Sequence, residues 1–178
     1  IQQNKTGDIQ FVYKNKEIYP IRLSIKGKHN IQNAALAFLT ARNMGVPGEV
    51  IINALQSFPG VPGRFEVVNH PTGAQLVVDY AHTCDAFAQC LKTGREMGAK
   101  RIIHIFGFRG NRDVTKRRGM VEISEQHSDL CILTLDDLGT ESFEEMIEAL
   151  HDLKPAAKGK VIPDRTLAIE YAWKIAKD

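Results

Sequence analysis

Three blocks of the sequence place glycine or charged side chains directly beside an apolar run. They are Gly60–Glu66 (GVPGRFE), Asp79–Thr83 (DYAHT) and Phe106–Arg117 (FGFRGNRDVTKR). Glycine lets a backbone approach a phosphate or carboxylate closely, and the backbone N–H groups at a helix N-terminus attract anions. Together the three blocks predict a site for an anionic ligand more specifically than any one of them does.

The third block lies between a predicted strand and a predicted helix, and it carries two arginines, Arg109 and Arg112. It matches neither the dinucleotide-binding pattern G-x-G-x-x-G nor the P-loop pattern G-x-x-x-x-G-K-[ST]. A glycine loop with two guanidinium groups before a helix still predicts an anion site. The alternative interpretation is a solvated basic loop.

The second block places Asp79 at the end of an apolar strand, followed by Tyr80 and His82. Asp79 can accept hydrogen bonds from ribose hydroxyls, Tyr80 can stack on adenine, and His82 can approach a phosphate. Alternatively, Asp79 caps the helix that is predicted to begin near Thr83. The residues alone leave both interpretations open.

Three residues nearer the N-terminus are further candidates. Asn30 and Asn33 bracket a predicted helix start, where their amides either bind a base or phosphate or serve as a cap and a solvated side chain. Arg64 follows a segment rich in proline and glycine. Its planar guanidinium suits a phosphate, although a lone arginine is more often a surface residue.

The elements that must position these residues form two groups. Before the helix-breaking segment Pro59–Gly63, the patterns predict strands over 11–13 and 18–25 and helices over 31–44, with Asn30 as N-cap, and 47–58. After it, strands are predicted near 65–69, 75–79, 101–106, 129–134 and 160–162, and helices near 84–97, 114–127, 142–152 and 165–177. This alternation predicts an α/β fold with a Rossmann-like, mostly parallel sheet and a ligand beyond its carboxyl ends, where Asp79, Gly107 and Asp136 fall.

Composition narrows the class of protein. The 178 residues are 43% hydrophobic and 25% charged, and the formal net charge of +2 does not indicate a nucleic-acid partner. Three cysteines without C-x-x-C spacing, and dispersed histidines, predict reduced thiols in a cytoplasmic protein and neither a disulfide framework nor a metal site. No apolar run reaches membrane-spanning length, so we expect no membrane insertion.

In order and spacing, the blocks resemble those of the Mur ligase family, most closely the subgroup that adds the third residue of the peptidoglycan stem peptide. The matching segments are GKHNIQNA (27–34), GVPGRFE (60–66), VDYAHT (78–83), NRD followed by KR (111–117) and IPDR (162–165). Family members have a UDP-sugar domain, a central P-loop ATPase domain and a Rossmann-like C-terminal domain. Because the P-loop pattern is absent here, the resemblance implies a fragment. Residues 1–62 would be the small α+β tail of the central domain, and 63–178 the C-terminal domain, truncated at its end.

The resemblance implies an enzyme that uses ATP to convert a carboxylate of a UDP-MurNAc-peptide into an acyl phosphate, which the amine of an amino acid then attacks. It implies Mg²⁺ with the ATP, held mostly by residues outside this fragment, a monomeric parent protein, and no activity of the fragment alone. It assigns the nucleotide to Asn30, Asn33, Arg64, Asp79, Tyr80 and His82, with Arg64 and His82 catalytic at the phosphates. It assigns Arg112 to the carboxylate of the incoming amino acid.

Two segments depart from the family pattern. The glycine loop has Phe108 and Arg109 where the family commonly has Cys-Gly, and Asn111 where it has Asp. Diaminopimelate-adding members carry Asp-Asn-Pro-Arg where this chain has Asp136, Asp137, Leu138 and Gly139, and losing a charge-assisted contact from that arginine costs ~1.5–3 kcal/mol. Two carboxylates favour an ammonium group, so we expect Asp136 and Asp137 to bind lysine or another amino acid rather than diaminopimelate. The alternative functions are a Mur-like paralogue with another acceptor and a non-catalytic nucleotide-binding module.

Overall fold

A computed structural model describes residues 1–3, 8–14, 16–71, 73–155 and 157–176. It divides the chain into two compact units, residues 1–66 and 67–178. Each unit has its own hydrophobic core. None of the described helices is long and apolar enough to cross a membrane.

The first unit packs two helices with a small antiparallel sheet. Its strands are β1 (Gln2–Gln3), β2 (Ile9–Tyr13) and β3 (Glu17–Pro20), and its helices are α1 (Lys28–Asn43) and α2 (Gly48–Ser57). The β2–β3 register sets Phe11 opposite Tyr19. Both rings therefore reach Phe38 of α1, at 5.5 and 5.1 Å between ring centroids. These three rings lie at the centre of this core.

The second unit contains the predicted alternation of strands and helices, with β4 starting at its boundary. The strands are β4 (Glu66–Asn69), β5 (Gln75–Val78), β6 (Ile103–Phe108), β7 (Leu130–Leu135) and β8 (Gly159–Val161). The helices are α3 (Cys84–Glu96), α4 (Thr115–His127), α5 (Phe143–Leu153) and α6 (Arg165–Ile175). All of these elements begin and end within about two residues of the bounds predicted from apolar periodicity and turn residues.

The last three strands form a parallel sheet in the order β6-β7-β8. Successive residues of the central strand β7 face opposite sides, so Leu133 packs with Met146 of α5 while Ile132 packs with Ala168 of α6. All four side chains are 0% exposed. A sheet covered by helices on both faces confirms the predicted α/β fold.

Strand β5 does not join this sheet as the sequence predicts. It pairs with β4 in a separate two-stranded sheet, and Val78 at its end is 44% exposed. The backbone N–H of His70 donates to the carbonyl of Ala74 at 2.8 Å and closes a short turn between the two strands. Pairing across a short turn closes only a small loop and therefore loses little chain entropy.

The prediction that Asn30 caps the first helix is wrong. Helix α1 begins at Lys28, and its N-cap is Gly27 with a φ of 96°. This left-handed value is one that glycine adopts without steric cost. The Asn30 amide instead donates to the carbonyl of Lys26 at 2.7 Å.

Candidate functional site

Two loops meet at the carboxyl ends of β6 and β7. We call residues 109–114, between β6 and α4, the arginine loop, and residues 136–142, between β7 and α5, the aspartate loop. The two strands are parallel and in register from Ile103↔Leu130 to Phe108↔Leu135. They therefore deliver the two loops to the same edge of the sheet, where ligands bind in open α/β sheets.

Glycine lets the two loop backbones touch. The N–H of Gly110 donates to the carbonyl of Asp137 at 2.7 Å. A Cβ atom on Gly110 would lie 1.7 Å from the carbonyl oxygen of Leu138, and one on Gly107 would lie 2.4 Å from that of Thr134. Any larger residue at either position would force the backbones apart. The glycines of this block thus serve the packing between the loops.

Asn111 fastens the arginine loop to the aspartate loop. Its side-chain oxygen accepts from the N–H of Thr140 at 2.6 Å, and its side-chain nitrogen donates to the Thr140 hydroxyl at 2.7 Å. Its own backbone N–H donates to a carboxylate oxygen of Glu141 at 2.9 Å. The φ of Asn111 is 56°, a left-handed conformation that asparagine tolerates better than most residues.

Beneath these contacts lies an ion pair between Arg117 of α4 and Glu141. One guanidinium nitrogen of Arg117 donates to both carboxylate oxygens of Glu141, at 2.8 and 2.9 Å. Arg117 is only 8% exposed, and its guanidinium lies 5.6 Å from the ring centroid of Phe108. The hydrogen bond from Arg117 is the main cause that lowers the pKa of Glu141 below its usual value. Glu141 is therefore an acceptor at neutral pH.

The exposed edge above this pair carries alternating charges. Arg109 donates to Asp137 at 2.7 Å, and Asp136 pairs with Arg165, the first residue of α6, at 3.3 Å. The hydrogen bond from Arg109 is the first cause of the lowered pKa of Asp137, and the charge of Arg112 contributes. Among the described residues, no hydrogen bond or ion pair engages the exposed Arg112 guanidinium. The structure thus brings the three predicted substrate residues, Arg112, Asp136 and Asp137, to one edge.

The segment after β5 holds the predicted nucleotide residues of the second unit. The Asp79 carboxylate accepts from the N–H of Ala81 at 2.7 Å, and a ring nitrogen of His82 lies 3.2 Å from the Tyr80 carbonyl. The rings of Tyr80 and His82 meet edge to face at 5.8 Å, and Tyr80 is 59% exposed. An exposed aromatic face beside a carboxylate and an imidazole is suited to a nucleoside.

The alternative role of Asp79 as a helix cap is wrong. Helix α3 begins at Cys84, and the Thr83 side chain at its N-cap accepts from the N–H of Ala86 at 3.2 Å. Because threonine already satisfies the helix end, Asp79 is not needed there. The Tyr80 hydroxyl is also among the groups that raise the pKa of Arg109, after the hydrogen bond and charge of Asp137. The Asp79 segment and the arginine loop therefore belong to one neighbourhood.

In the first unit, Asn30 and Asn33 lie one helical turn apart on α1. The Asn33 amide nitrogen lies 3.5 Å from the side-chain oxygen of Asn30, and Asn33 is exposed at the start of the helix. The Asn30 nitrogen donates to the Lys26 carbonyl and its oxygen accepts from Asn33, so both side-chain amides take part in local hydrogen bonds at the start of α1.

Arg64 lies in a backbone segment with unusual torsions. Gly60 and Gly63 have φ values of 99° and 70°, and Phe65, which is 7% exposed, has a φ of 47°. The N–H of Gly63 donates to the Glu66 carboxylate at 2.8 Å. An aromatic residue in the left-handed region is strained, and such strain is concentrated at functional segments. The exposed side chain of Arg64 is presented from this segment.

Sequence reasoning missed the pair Arg117 and Glu141 as site residues. A signal was available, because Met120, Val121 and Ser124 follow Arg117 at helical spacing and all three are buried with it. An arginine on the buried face of a helix requires a partner. No comparable signal marks Glu141, which lies in a polar loop before the helix cap Ser142.

The described residues contain no group of three or more His, Cys, Asp or Glu side chains that could hold a metal ion.

Residues 63–178 match the protein family described as Mur ligase, glutamate ligase domain. The chain belongs to the Mur ligase family. This Mur ligase chain is 42% identical over 158 residues to the UDP-N-acetylmuramoyl-L-alanyl-D-glutamate--2,6-diaminopimelate ligase of Alkaliphilus oremlandii, covering 88% of the chain and 32% of that protein. It is 37% identical over 169 residues to the ligase of the same name from Clostridium botulinum, covering 94% of the chain and 35% of that protein. The chain spans about a third of the length of these curated relatives.

Solved structures agree with this assignment. A UDP-N-acetylmuramoyl-L-alanyl-D-glutamate--2,6-diaminopimelate ligase superposes with a TM-score of 0.61 at 27% identity, over 94% of this Mur ligase chain and 34% of that chain. The folylpolyglutamate synthase of Mycobacterium tuberculosis complexed with ADP superposes with a TM-score of 0.71 at 18% identity, over 97% and 39% of the respective chains. At that identity the second match shows the fold alone. The resemblance inferred from the sequence blocks is confirmed.

Proposed function

We propose that this chain is part of an ATP-dependent ligase that adds the third amino acid to a UDP-MurNAc-peptide in peptidoglycan precursor synthesis. Residues 1–62 then belong to the central ATP-binding domain, and residues 63–178 form the C-terminal domain that brings the amino acid. The observation that carries the proposal is the edge of the β6-β7-β8 sheet, where two interlocked loops present Arg112 without a partner among the described residues. The three free cysteines fit the cytoplasmic location predicted from the sequence.

The proposed reaction has two steps. A carboxylate oxygen of the peptide attacks the terminal phosphorus of ATP, which releases ADP and forms an acyl phosphate. The amine of the amino acid then attacks the carbonyl carbon, and phosphate leaves as the amide forms. Such chemistry depends on positioning and on neutralising phosphate charge. Arg64 would supply positive charge to the phosphates, His82 would hydrogen-bond to them, and Arg112 would hold the amino acid by its carboxylate.

The residues predicted to bind the nucleotide would each have a distinct role. Asp79 would accept from the ribose hydroxyls, Tyr80 would stack on the base, and Asn30 and Asn33 would contribute amide hydrogen bonds. Support comes from the Tyr80 face, which is 59% exposed beside the Asp79 carboxylate. If the assignment is right, Asp79→Ala raises the KM for ATP and leaves the KM for the amino acid nearly unchanged. An unchanged KM for ATP would remove the ribose role.

For the incoming amino acid we propose diaminopimelate, in place of the lysine expected from the sequence. The expectation of lysine rested on Gly139 in place of the family's arginine and on two available carboxylates. The second ground fails, because Asp136 pairs with Arg165 and Asp137 pairs with Arg109. With Arg112, the edge carries three guanidinium groups against two carboxylates, an excess of positive charge that favours a second carboxylate on the ligand. The relatives at 42% and 37% identity carry 2,6-diaminopimelate in their names.

The test is phosphate release from ATP by the full-length protein with UDP-MurNAc-L-Ala-D-Glu as acceptor. The amino acid is omitted or supplied as meso-diaminopimelate or as L-lysine. Release that requires the acceptor and diaminopimelate supports the proposal. Release that requires the acceptor and lysine, and that does not occur with diaminopimelate, would support the ligase but refute the choice of amino acid. No release with either, despite ATP binding, would indicate a paralogue with another acceptor or a non-catalytic nucleotide-binding protein.

The role of Arg112 has its own test in the same assay. Arg112→Ala should raise the KM for the amino acid much more than the KM for ATP, because the guanidinium would contact only the amino acid's carboxylate. Equal effects on the two constants would refute the assignment. Arg118→Ala is the control, since Arg118 is an exposed arginine on the adjacent helix.

A further inference from the structure

The ion pair between Arg117 and Glu141 has no role in the function proposed above. Its side chains are 9% and 23% exposed, so both charges have lost most of their water. A buried ion pair adds little stability over a well-packed apolar pair of similar volume. Its contribution is geometric, because charge-assisted hydrogen bonds fix the positions of the atoms that they join.

Glu141 joins three parts of the site through one carboxylate. It accepts from Arg117 of α4 at 2.8 and 2.9 Å and from the backbone N–H of Asn111 at 2.9 Å. Helix α4, the arginine loop and the aspartate loop therefore share this single acceptor group. Moving the carboxylate would loosen the arginine loop at the residue that immediately precedes Arg112.

Arg112 lies between two fixed points of the backbone. On one side, Asn111 is held by Glu141 and by its paired hydrogen bonds with Thr140 at 2.6 and 2.7 Å. On the other side, the Asp113 carboxylate accepts from the N–H of Thr115 at 3.0 Å and so fixes the loop to the first turn of α4. The Arg112 side chain itself is exposed. Its backbone is held while its guanidinium stays open to a ligand.

We propose that Arg117 and Glu141 are positioning residues for Arg112. They hold its backbone where its guanidinium meets the carboxylate of the incoming amino acid, and they do so without touching the substrate. The inference rests on the proposed function, because it requires that Arg112 bind the amino acid. A displacement of a binding group by about 1 Å can lower the rate by ~100-fold. Loss of the ion pair between Arg117 and Glu141 should therefore weaken amino-acid binding far more than nucleotide binding.

The first experiment compares Arg117→Lys with Arg118→Lys in the full-length protein. Lysine keeps the charge at position 117 but lacks the planar guanidinium and its shape match to the Glu141 carboxylate. We expect Arg117→Lys to raise the KM for the amino acid by about 10- to 100-fold, with a KM for ATP within about twofold of the unaltered protein. Arg118 is exposed on the same helix, so Arg118→Lys should change neither constant.

A double variant separates positioning from a general structural role. If Arg117 acts through Arg112, Arg117→Lys should have no further effect on the amino-acid KM once Arg112→Ala is present. Effects that multiply would mean that Arg117 acts independently of Arg112 and would overturn the proposal. Equal rises in the KM for ATP and for the amino acid would also overturn it, because they indicate a general loss of the folded site.

Hydrogen exchange provides a measurement that does not depend on activity. Glu141→Gln keeps the size of the side chain but removes its charge, so the amide of Asn111 should exchange at least about tenfold faster while amides of β7 are unchanged. Unchanged exchange at Asn111 would refute the proposed positioning role, even if the variants of Arg117 fail to fold. Absence of ligase activity in the unaltered protein would refute the proposed function and this inference together. Activity with an unaltered KM in Arg117→Lys would refute the inference alone.

Discussion

Gly110→Ala tests whether the two loops are interlocked as described. The φ of Gly110 is not in the left-handed region, so alanine meets no backbone strain of its own and the substitution tests only the added methyl group. That methyl carbon would lie 1.7 Å from the carbonyl oxygen of Leu138 and 2.4 Å from its carbonyl carbon. Carbon–oxygen contacts normally begin at about 3.3 Å. The arginine loop and the aspartate loop would therefore have to separate by more than about 1 Å.

The separation has two energetic consequences. Overpacking a tight contact costs about 1–3 kcal/mol, and the hydrogen bond from Gly110 to Asp137, now 2.7 Å long, would lengthen or break at about 1 kcal/mol. We therefore expect Gly110→Ala to lower the free energy of unfolding by about 2–4 kcal/mol. With a urea m-value of ~2 kcal/mol/M, the midpoint falls by about 1–2 M.

The assay is urea unfolding followed by tryptophan fluorescence. The chain has one tryptophan, Trp173 of α6, whose ring contacts that of His70 in a tilted arrangement at 3.9 Å between centroids. Because both residues belong to the second unit, its emission reports on that unit. Gly94→Ala in α3 is the matched control, because its new methyl group would lie 3.4 Å from Ile102, an ordinary contact. Alanine in a helix interior should stabilise by about 0.5–1 kcal/mol.

The two substitutions are chemically identical and should shift the midpoint in opposite directions. A midpoint for Gly110→Ala that equals or exceeds that of the unaltered protein would refute the interlocked loops. A loss for Gly94→Ala as large as that for Gly110→Ala would show that the unit tolerates no added methyl group, and the argument from loop contact would fail.

Three further predictions use the same unit. Burial lowers the pKa of His104 to about 4, so the folded protein holds this histidine neutral, and the free energy of unfolding falls as pH drops from about 6.5 towards 4. Between pH 7 and pH 5, urea titrations should show that the unaltered protein loses ~1–2 kcal/mol more of this free energy than His104→Gln does. Ser142→Ala removes the capping box of α5, in which the serine hydroxyl accepts from the backbone N–H of Glu145 at 3.2 Å. This variant should lower the free energy of unfolding by ~1 kcal/mol. Cys131 is 0% exposed and burial raises its pKa to about 11, so in native protein it should react with iodoacetamide far more slowly than Cys84, as mass spectrometry would measure.

Each of these has an outcome that contradicts it. Parallel pH profiles for the unaltered protein and His104→Gln would mean that the histidine is not buried as a neutral group. A Ser142→Ala variant as stable as the unaltered protein would remove the hydroxyl's role at the helix start. Equal labelling of Cys131 and Cys84 in the native protein, without urea, would show that β7 is accessible.

Local patterns in the sequence were sufficient for most of the secondary structure. The continuous apolar runs of β6 and β7, and the glycines and prolines between elements, predict strands and helices whose bounds match the structure closely. The pairing of β5 was not predictable in the same way. An apolar run indicates a strand but does not indicate its partner. The short turn between β4 and β5 favours the pairing of these two strands.

The sequence also predicted two loops as binding loops, and this stays a prediction, but it did not predict the ion pairs within them. Asp136 and Asp137 read as two available carboxylates, whereas the structure pairs them with Arg165 and Arg109. Those contacts join residues 28 or more positions apart, and their existence depends on parallel strands that bring separate loops to one edge.

By itself, the sequence determined the family and the order of strands and helices in the second unit, and it predicted residues for phosphate and carboxylate, because these depend on residue type and on short-range spacing. Only the tertiary structure decided that Glu141 joins Arg117, 24 residues away, to the loop of Arg112. It likewise decided that Gly110 is needed for contact with Leu138. The physical reason is that such contacts are set by the register of β6 against β7, and a register belongs to two strands together and to neither sequence segment alone.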